Sequence, residues 1–368
     1  MRIGIDAREL CGRATGVGRY LAGLLLEWAA ARTLAHEFVL YAPEPIELPL
    51  DARRFATRIV PGPPGTWWEQ VRVTRVAASD HLDVWFAPAY SAPLRLHTPI
   101  VVAIHDLSFV AHPEWFRIRE GARRRWLTRQ SAVKASAVVT ISEFSKRELI
   151  EWLDVPEERI QVIPPGIGSV VSHQSSVPSP QSLPSPRVLF VGSIFNRRHV
   201  VDLIRSFAPL ARAHTDASLD IVGDNRSYPR EDLRRTIVAE RLDGQVRWRE
   251  YVTDAELSDL YTQARAFAFL SEYEGLGLTP LEALAAGVPP VLVDTPVARE
   301  SCGNAAVYVR ARDVAGTTRA LESVLCDEAA RSRILAAAPA ELAKYSWPRA
   351  ARETLAVLER AGSRLTSG

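Results

Sequence analysis

Two glutamates stand with seven residues between them in the run Glu274-Gly-Leu-Gly-Leu-Thr-Pro-Leu-Glu282. Gly275 and Gly277 let a ligand approach the backbone, and Pro280 suits the first turn of a helix. A helix start with free N–H groups attracts anions. Carboxylates placed there cannot neutralise a phosphate, but each can accept hydrogen bonds from two vicinal hydroxyls. A ligand with phosphate in its middle and hydroxyl-rich groups on both sides, such as a nucleotide sugar, would satisfy the whole loop. The plainer reading is an acidic helix start favoured by the dipole alone.

Three further sets of residues could share that chemistry. Arg197 and Arg198 follow a short apolar run, where two guanidiniums could neutralise a diphosphate and stabilise it as it leaves. A surface arginine pair is the alternative. His105 ends the apolar run Ile100–Ile104, and ligands of open α/β sheets bind beyond the carboxyl ends of strands. As a solitary histidine it could equally be a satisfied core residue. Thr15-Gly-Val-Gly18, with Gly16 and Gly18, follows a first strand and reads as an anion-cradling loop or a tight turn. No Asp-x-Asp pair, Walker loop, Gly-x-Ser-x-Gly elbow or His/Cys metal spacing is present in the sequence.

The elements that must position these groups alternate along the chain. Expected strands are Arg2–Asp6, Glu37–Tyr41, Arg58–Val60, Asp83–Ala87, Ile100–Ile104, Ala137–Ile141 and Arg159–Ile163. Helical patterns lie between them, at about Tyr20–Ala31 and Trp68–Ala78 among others. Ser169–Pro186, rich in Ser and Pro and almost uncharged, reads as a linker. A second alternation follows, with strands Val188–Val191, Leu219–Val222, Val246–Glu250, Ala266–Leu270 and Val288–Val293. Its helices are expected from the arginine pair to about His214, over Leu233–Arg241 and Asp254–Arg265, and from about Pro280 to Gly287. A last helical pattern covers Pro348–Ala361. Alternation of this kind predicts parallel sheets covered on both faces. The expected domains are residues 1–168, a linker 169–186, a nucleotide-sugar-binding domain 187–345 and a terminal helical segment 346–368.

Composition bounds the partners. The 368 residues are 47% hydrophobic and 24% charged, with a net charge of +2, which gives no global case for nucleic-acid binding. Three scattered cysteines suggest a reducing compartment, and no apolar run approaches membrane-spanning length. A cytoplasmic location is expected. Arg117 to Lys134 carries Arg117, Arg119, Arg123, Arg124, Arg125, Arg129 and Lys134 against the single acid Glu120. It reads as a solvated helix face or as a surface for an anionic membrane or an acceptor phosphate, which would place the protein peripherally on the inner face of the membrane.

These residues together resemble the group-1 glycosyltransferases, glycosyltransferase family 4, along nearly the whole chain. Thr15-Gly-Val-Gly-Arg-Tyr20 is similar to the family's N-terminal glycine loop, and Val191-Gly-Ser with Arg197-Arg-His199 to its phosphate-binding signature. Trp68-Glu-Gln70, Asp83–Pro88, His105-Asp-Leu-Ser108 and His112–Phe116 resemble a mannosyl- or rhamnosyltransferase-like subgroup. Glu274 and Glu282 match its paired-glutamate motif. The resemblance implies the GT-B fold, two Rossmann-like domains facing a central cleft, with a C-terminal helix crossing back to the first. It implies transfer of a hexose from a nucleoside diphosphate sugar, with retention and without a metal or other cofactor. The acceptor would be a glycan or lipid-linked glycan of cell-surface polysaccharide or lipopolysaccharide assembly.

By that resemblance Glu274 would hold sugar hydroxyls and Glu282 the ribose. Backbone N–H groups of Gly275, Leu276, Gly277, Leu278 and Thr279 would meet sugar and phosphate. Arg197 and Arg198 would bind the diphosphate, His105 would face the transferred sugar, and Gly16 and Gly18 would make room for phosphates. Departures from the pattern are Arg198 for lysine, His199 for asparagine, Leu276 for phenylalanine and Thr279-Pro280 for the common Pro-x. Ser193 stands where many relatives carry a phosphate-binding arginine. An epimerase or hydrolase of the same architecture, or a non-catalytic nucleotide-sugar-binding protein, are the rival readings.

Overall fold

Apolar, β-branched strands alternate with amphipathic helices, and in a computed structural model they assemble into two parallel sheets. The structure describes residues 1–12, 16–31, 34–168 and 186–363; nearly all of the expected linker lies outside them. The chain divides into two units, Met1–Gly166 with Tyr345–Gly368, and Ile167–Lys344.

The first unit holds β1 (Arg2–Asp6), β2 (Glu37–Ala42), β3 (Phe55–Ile59), β4 (Val84–Ala87), β5 (Ile100–Ala103), β6 (Ala137–Thr140) and β7 (Ile160–Val162). Their order across the sheet is β3-β2-β1-β4-β5-β6-β7. The order reverses between β1 and β4, and crevices at such points are where α/β sheets bind ligands. The expected helix at Tyr20 begins earlier: Gly16–Ala30 is helical, so Gly16 and Gly18 occupy its first turn instead of a loop. Tyr20, Leu21, Leu24, Leu25 and Trp28 are its buried face. Each such large side chain contributes roughly 1.5–3 kcal/mol on burial.

The terminal helix Trp347–Ser363 packs within this unit, with Trp28 Nε1 donating to the Ala351 carbonyl at 2.9 Å. Gly23 and Gly166 make room for the Trp347 ring, since a Cβ on either would lie within 2.6 Å of it. The segment read as one helix, Trp68–Ala78, is a π-helix over Trp68–Val73 followed by an α-helical turn, Thr74–Ala77.

The second unit holds β8 (Arg187–Val191), β9 (Ser218–Val222), β10 (Val246–Arg249), β11 (Ala266–Phe269), β12 (Pro290–Val293) and β13 (Val307–Val309). The order is β10-β9-β8-β11-β12-β13, so the reversal falls between β8 and β11. β13 and the helices Pro296–Cys302, Val314–Cys326 and Glu328–Leu342 complete the unit. The helix expected from Pro280 starts at Leu278 and runs to Ala285. Proline is tolerated in its third position because the first-turn N–H groups have no intrahelical acceptor. Gly287, at φ 75°, ends it in the left-handed conformation that favours glycine.

Candidate active site

In the second unit the loops after β8 and β11 meet at the strand-order reversal, and each carries half of an ion pair. Val191-Gly-Ser193 leaves β8 and enters a 3-10 turn, Asn196–Arg198, ahead of the helix Val200–Ala213. Gly192 is needed here: its φ is 142°, and a Cβ would stand 2.6 Å from the Arg198 guanidinium. Gly223, at the end of β9, faces the same turn so closely that a Cβ would lie 2.0 Å from the Gly192 carbonyl. Two loops are thereby pressed together where the backbone must be bare.

Arg198 lies along this bared backbone. Its Nε donates to Glu274 Oε1 at 2.8 Å, its Nη1 to the Ser193 carbonyl at 2.8 Å, and its guanidinium sits 4.8 Å over the Phe269 ring. Ser271 Oγ donates to the same Glu274 oxygen at 2.9 Å. Burial raises the Glu274 carboxyl, but Arg198 and Arg197 outweigh it and hold the group below the usual carboxylate range. Arg197 is on the same turn, stacked 4.5 Å over Phe195, with its carbonyl receiving the Glu272 N–H. Ser193 Oγ donates to Asp224 Oδ1 at 2.7 Å.

His199, where the resemblance expects asparagine, takes the left-handed conformation and lies 3.0 Å from Glu272. Arg312 Nε lies 3.1 Å from the same Glu272 oxygen. Neither contact shows in the local pattern, because Glu272 is 73 residues from His199 and 40 from Arg312.

Gly277, at φ 87°, caps the helix Leu278–Ala285, and no side chain occupies the cap. The amides of Leu278 and Thr279 stand in that uncapped first turn, and Leu276 is buried beside it. Glu274, Leu276, Gly277 and Pro280 line a recess partly open to solvent together with Ser271, Thr295 and Ser301. Glu282 is not in that lining. It is 9% exposed and receives Tyr261 Oη at 3.3 Å.

The remaining sequence-expected residues belong to the first unit. His105 follows β5 and is buried; its Nε2 is 2.8 Å from the Pro88 carbonyl. A carbonyl only accepts, so Nε2 carries the proton and Nδ1 is the acceptor. Burial pushes the imidazole below its ordinary pKa, with the Pro88 contact and Asp106 pulling the other way. Tyr20 meets the ring edge-on at 4.7 Å. Gly16 is exposed at the helix start and Gly18, two residues on, is buried; Thr15 lies outside the described residues.

A second buried cluster, outside the residues expected to form the site, lies at the reversal of the first sheet. Asp6, at the end of β1, and Glu69 share Arg8, which is 2.8 Å from Asp6 Oδ2 and bonded to Glu69 Oε1. Burial raises the Asp6 carboxyl to about 6, against the pull of Arg8. The signal available was an acid closing an otherwise apolar strand.

Comparison with known proteins bears on the family and the fold. Residues 14–168 match the description Glycosyltransferase Family 4, and residues 175–341 match Glycosyl transferases group 1. The chain is 26% identical over 289 residues to O-antigen chain mannosyltransferase B of Escherichia coli, covering 76% of this chain and 75% of that one. Sucrose-phosphate synthase from Thermosynechococcus elongatus shares the fold at a TM-score of 0.79 and 16% identity, over 99% of both chains. Anabaena HepE, solved in complex with UDP and glucose, aligns at 0.71 and 16% identity, over 100% of this chain and 99% of that one. At these identities the two solved structures speak for the fold alone, two parallel-sheet α/β units of the GT-B type. With both halves matched and the fold shared, this chain belongs to the group 1 glycosyltransferases.

Proposed function

We propose that this glycosyltransferase moves a hexose from a nucleoside diphosphate sugar to a glycan or lipid-linked acceptor, with retention at the anomeric carbon, in cell-surface polysaccharide assembly. The observation that carries this reading is the Arg198–Glu274 pair beside an uncapped helix start at the reversal point of the second sheet. The similarity to an O-antigen mannosyltransferase favours mannose as the sugar.

In the reaction the bond from C1 to the β-phosphate oxygen breaks and its electron pair leaves with the diphosphate. The acceptor oxygen bonds C1 on the same face, and its proton passes to the departing phosphate. Arg198, Arg197 and the N–H groups of Leu278 and Thr279 stabilise the charge that develops. That donor set is cationic, and it supplies in guanidinium form what a metal supplies elsewhere. Glu274, held ionised, accepts from sugar hydroxyls, Ser193 borders the phosphates, and Glu282 holds the ribose. His105 Nδ1 accepts from a hydroxyl of the transferred sugar.

Delivery of a lipid-linked acceptor fits the helix Ile118–Lys134 of the first unit. Arg119, Arg123, Trp126 and Val133 recur at helical spacing on its exposed side, after Ile118, which is 88% exposed. Arginines interleaved with apolar groups suit the anionic inner face of a membrane. Among the described residues no helix is long and apolar enough to cross one. Sedimentation with vesicles containing anionic lipid should retain the protein, and the double variant Arg119→Glu, Arg123→Glu should stay in solution; equal binding of both removes the membrane part of the reading.

The enzymatic part is tested by thermal-shift screening with GDP-, UDP-, ADP- and dTDP-sugars, followed by transfer assays with the stabilising donor. Arg198→Ala and Glu274→Gln should each lower transfer by about 10²–10³-fold, and NMR of the product should show the donor's anomeric configuration. Full activity in both variants sinks the site assignment. Release or isomerisation of the sugar regardless of acceptor sinks transfer.

A further inference from the structure

At the reversal point of the first sheet, segments far apart in sequence are tied by one carboxylate. Glu69 is fully buried, and its Oε1 is bonded by Arg8 from the turn after β1. Ser91 Oγ, from the loop after β4, lies 2.8 and 3.0 Å from its two oxygens. The neighbouring Gln70 donates to the Ala92 carbonyl at 2.9 Å and accepts from the Leu94 N–H at 3.0 Å. Both side chains come from the π-helix Trp68–Val73, and such wide turns concentrate at functional sites.

The loop they hold is the one that holds His105. Pro88 receives the Nε2 proton, and Tyr90 meets the imidazole edge-on at 5.7 Å. Tyr90 Oη donates to Asp106 Oδ2 at 2.7 Å, next to the histidine in sequence. Tyr90 also has φ 63°, a left-handed conformation that a bulky residue keeps only when its surroundings impose it.

We propose that Glu69 is a positioning residue for transfer: by clamping Ser91 it fixes residues 88–91, and these hold the His105 ring in one orientation and one tautomer. The inference rests on His105 facing the transferred sugar. A rigid Nε2–H donor contact to Pro88 leaves Nδ1 permanently ready to accept a sugar hydroxyl. Arg8 also holds Glu69, through the Oε1 that Ser91 shares, so the clamp does not depend on substrate being present.

The experiment compares wild type, Ser91→Ala and Glu69→Gln by ¹⁵N-histidine NMR and by steady-state kinetics. Ser91→Ala removes only the link and keeps the Arg8–Glu69 pair, so it reports even where Glu69→Gln folds poorly. In wild type, His105 should show a single Nε2–H tautomer. In Ser91→Ala its two ring nitrogens should move toward averaged shifts, with kcat down about tenfold and the donor KM within about twofold. Unchanged His105 signals in Ser91→Ala overturn the positioning role, whatever the activity. A fully active His105→Ala overturns the functional reading of His105, and with it the part Glu69 plays in transfer, even if the tautomer shifts.

Discussion

At the reversal point of the first sheet one guanidinium, Arg8, serves two carboxylates, Asp6 and Glu69; at that of the second, Arg198 serves the single carboxylate of Glu274 with Arg197 alongside. The first set has two acids and one base and the second one acid and two bases, so the formal charges are opposite. Burial raises both carboxyls, and the outcome differs. At Asp6 the desolvation wins and the carboxyl rises to about 6, whereas at Glu274 the two arginines win and the carboxyl falls. Exposure of the carboxylates differs in the same sense: the Asp6 and Glu69 side chains are 2% and 1% exposed and that of Glu274 16%, whereas the guanidiniums of Arg8 and Arg198 are alike at 10% and 13%. One arrangement has its carboxylates sealed and two of them to one guanidinium, which suits internal fastening. The other has two guanidiniums beside one less buried carboxylate, which suits an anionic ligand.

The largest effect that would break this contrast is on stability. Arg8→Met leaves two carboxylates buried without their cation, and removing one partner of a buried pair costs about 3–5 kcal/mol. Chemical denaturation should show a loss of that size; a loss below about 1 kcal/mol would mean that the cluster is hydrated and not a fastening at all.

The next effect is smaller and carries a sign. The folded-state pKa of Asp6, about 6, lies above its ordinary 3.8, so the folded protein binds this proton more tightly than the unfolded chain. The contribution of Asp6 to stability is therefore greatest at low pH. It declines as pH rises from about 4 to about 6, by roughly 3 kcal/mol in all. Asp6→Asn removes that decline, and it leaves Arg8 paired with Glu69. Relative to wild type, the variant should gain stability between pH 4 and pH 7. Parallel stability curves for the two proteins would place the titration elsewhere.

How far these two clusters were legible in the sequence follows from their contact order. Glu274, Gly275 and Gly277 sit in one short stretch with the helix start they serve, and local pattern was enough to bring them forward. Arg198 could be placed at a strand end, but its bond to Glu274 joins residues 76 apart and needs the β8–β11 pairing. The expectation gave the two side chains to different parts of a ligand; in the protein itself they hold each other. Asp6 and Glu69 are 63 positions apart, and only the fold, which brings both to Arg8, makes them neighbours. That π-helix was read as an ordinary helix, because a five-residue hydrogen-bond period over so few residues leaves the apolar spacing almost unchanged. The helix expected from Tyr20 starts at Gly16 for another reason. Two glycines in a first turn lower helix propensity, and the buried face of Tyr20, Leu21, Leu24 and Trp28 overrides them.

The smallest effect on stability is the most direct test of the contrast. Arg198→Met should cost only about 1–2 kcal/mol, because Glu274 keeps Ser271 and the nearby charge of Arg197 and is open enough to gain water. Its consequence should appear in anion binding. If the second cluster binds anions through its two guanidiniums, inorganic pyrophosphate should raise the melting temperature of wild type in proportion to its occupancy. The shift should vanish in Arg198→Met and persist undiminished in Asp6→Asn. That second arm matters, since a shift lost equally in both variants would mean that pyrophosphate reads overall charge or unit 1. A shift unchanged in Arg198→Met would hand the anion site to Arg197 and the helix start alone, and Arg198 would then be a fastening like Arg8.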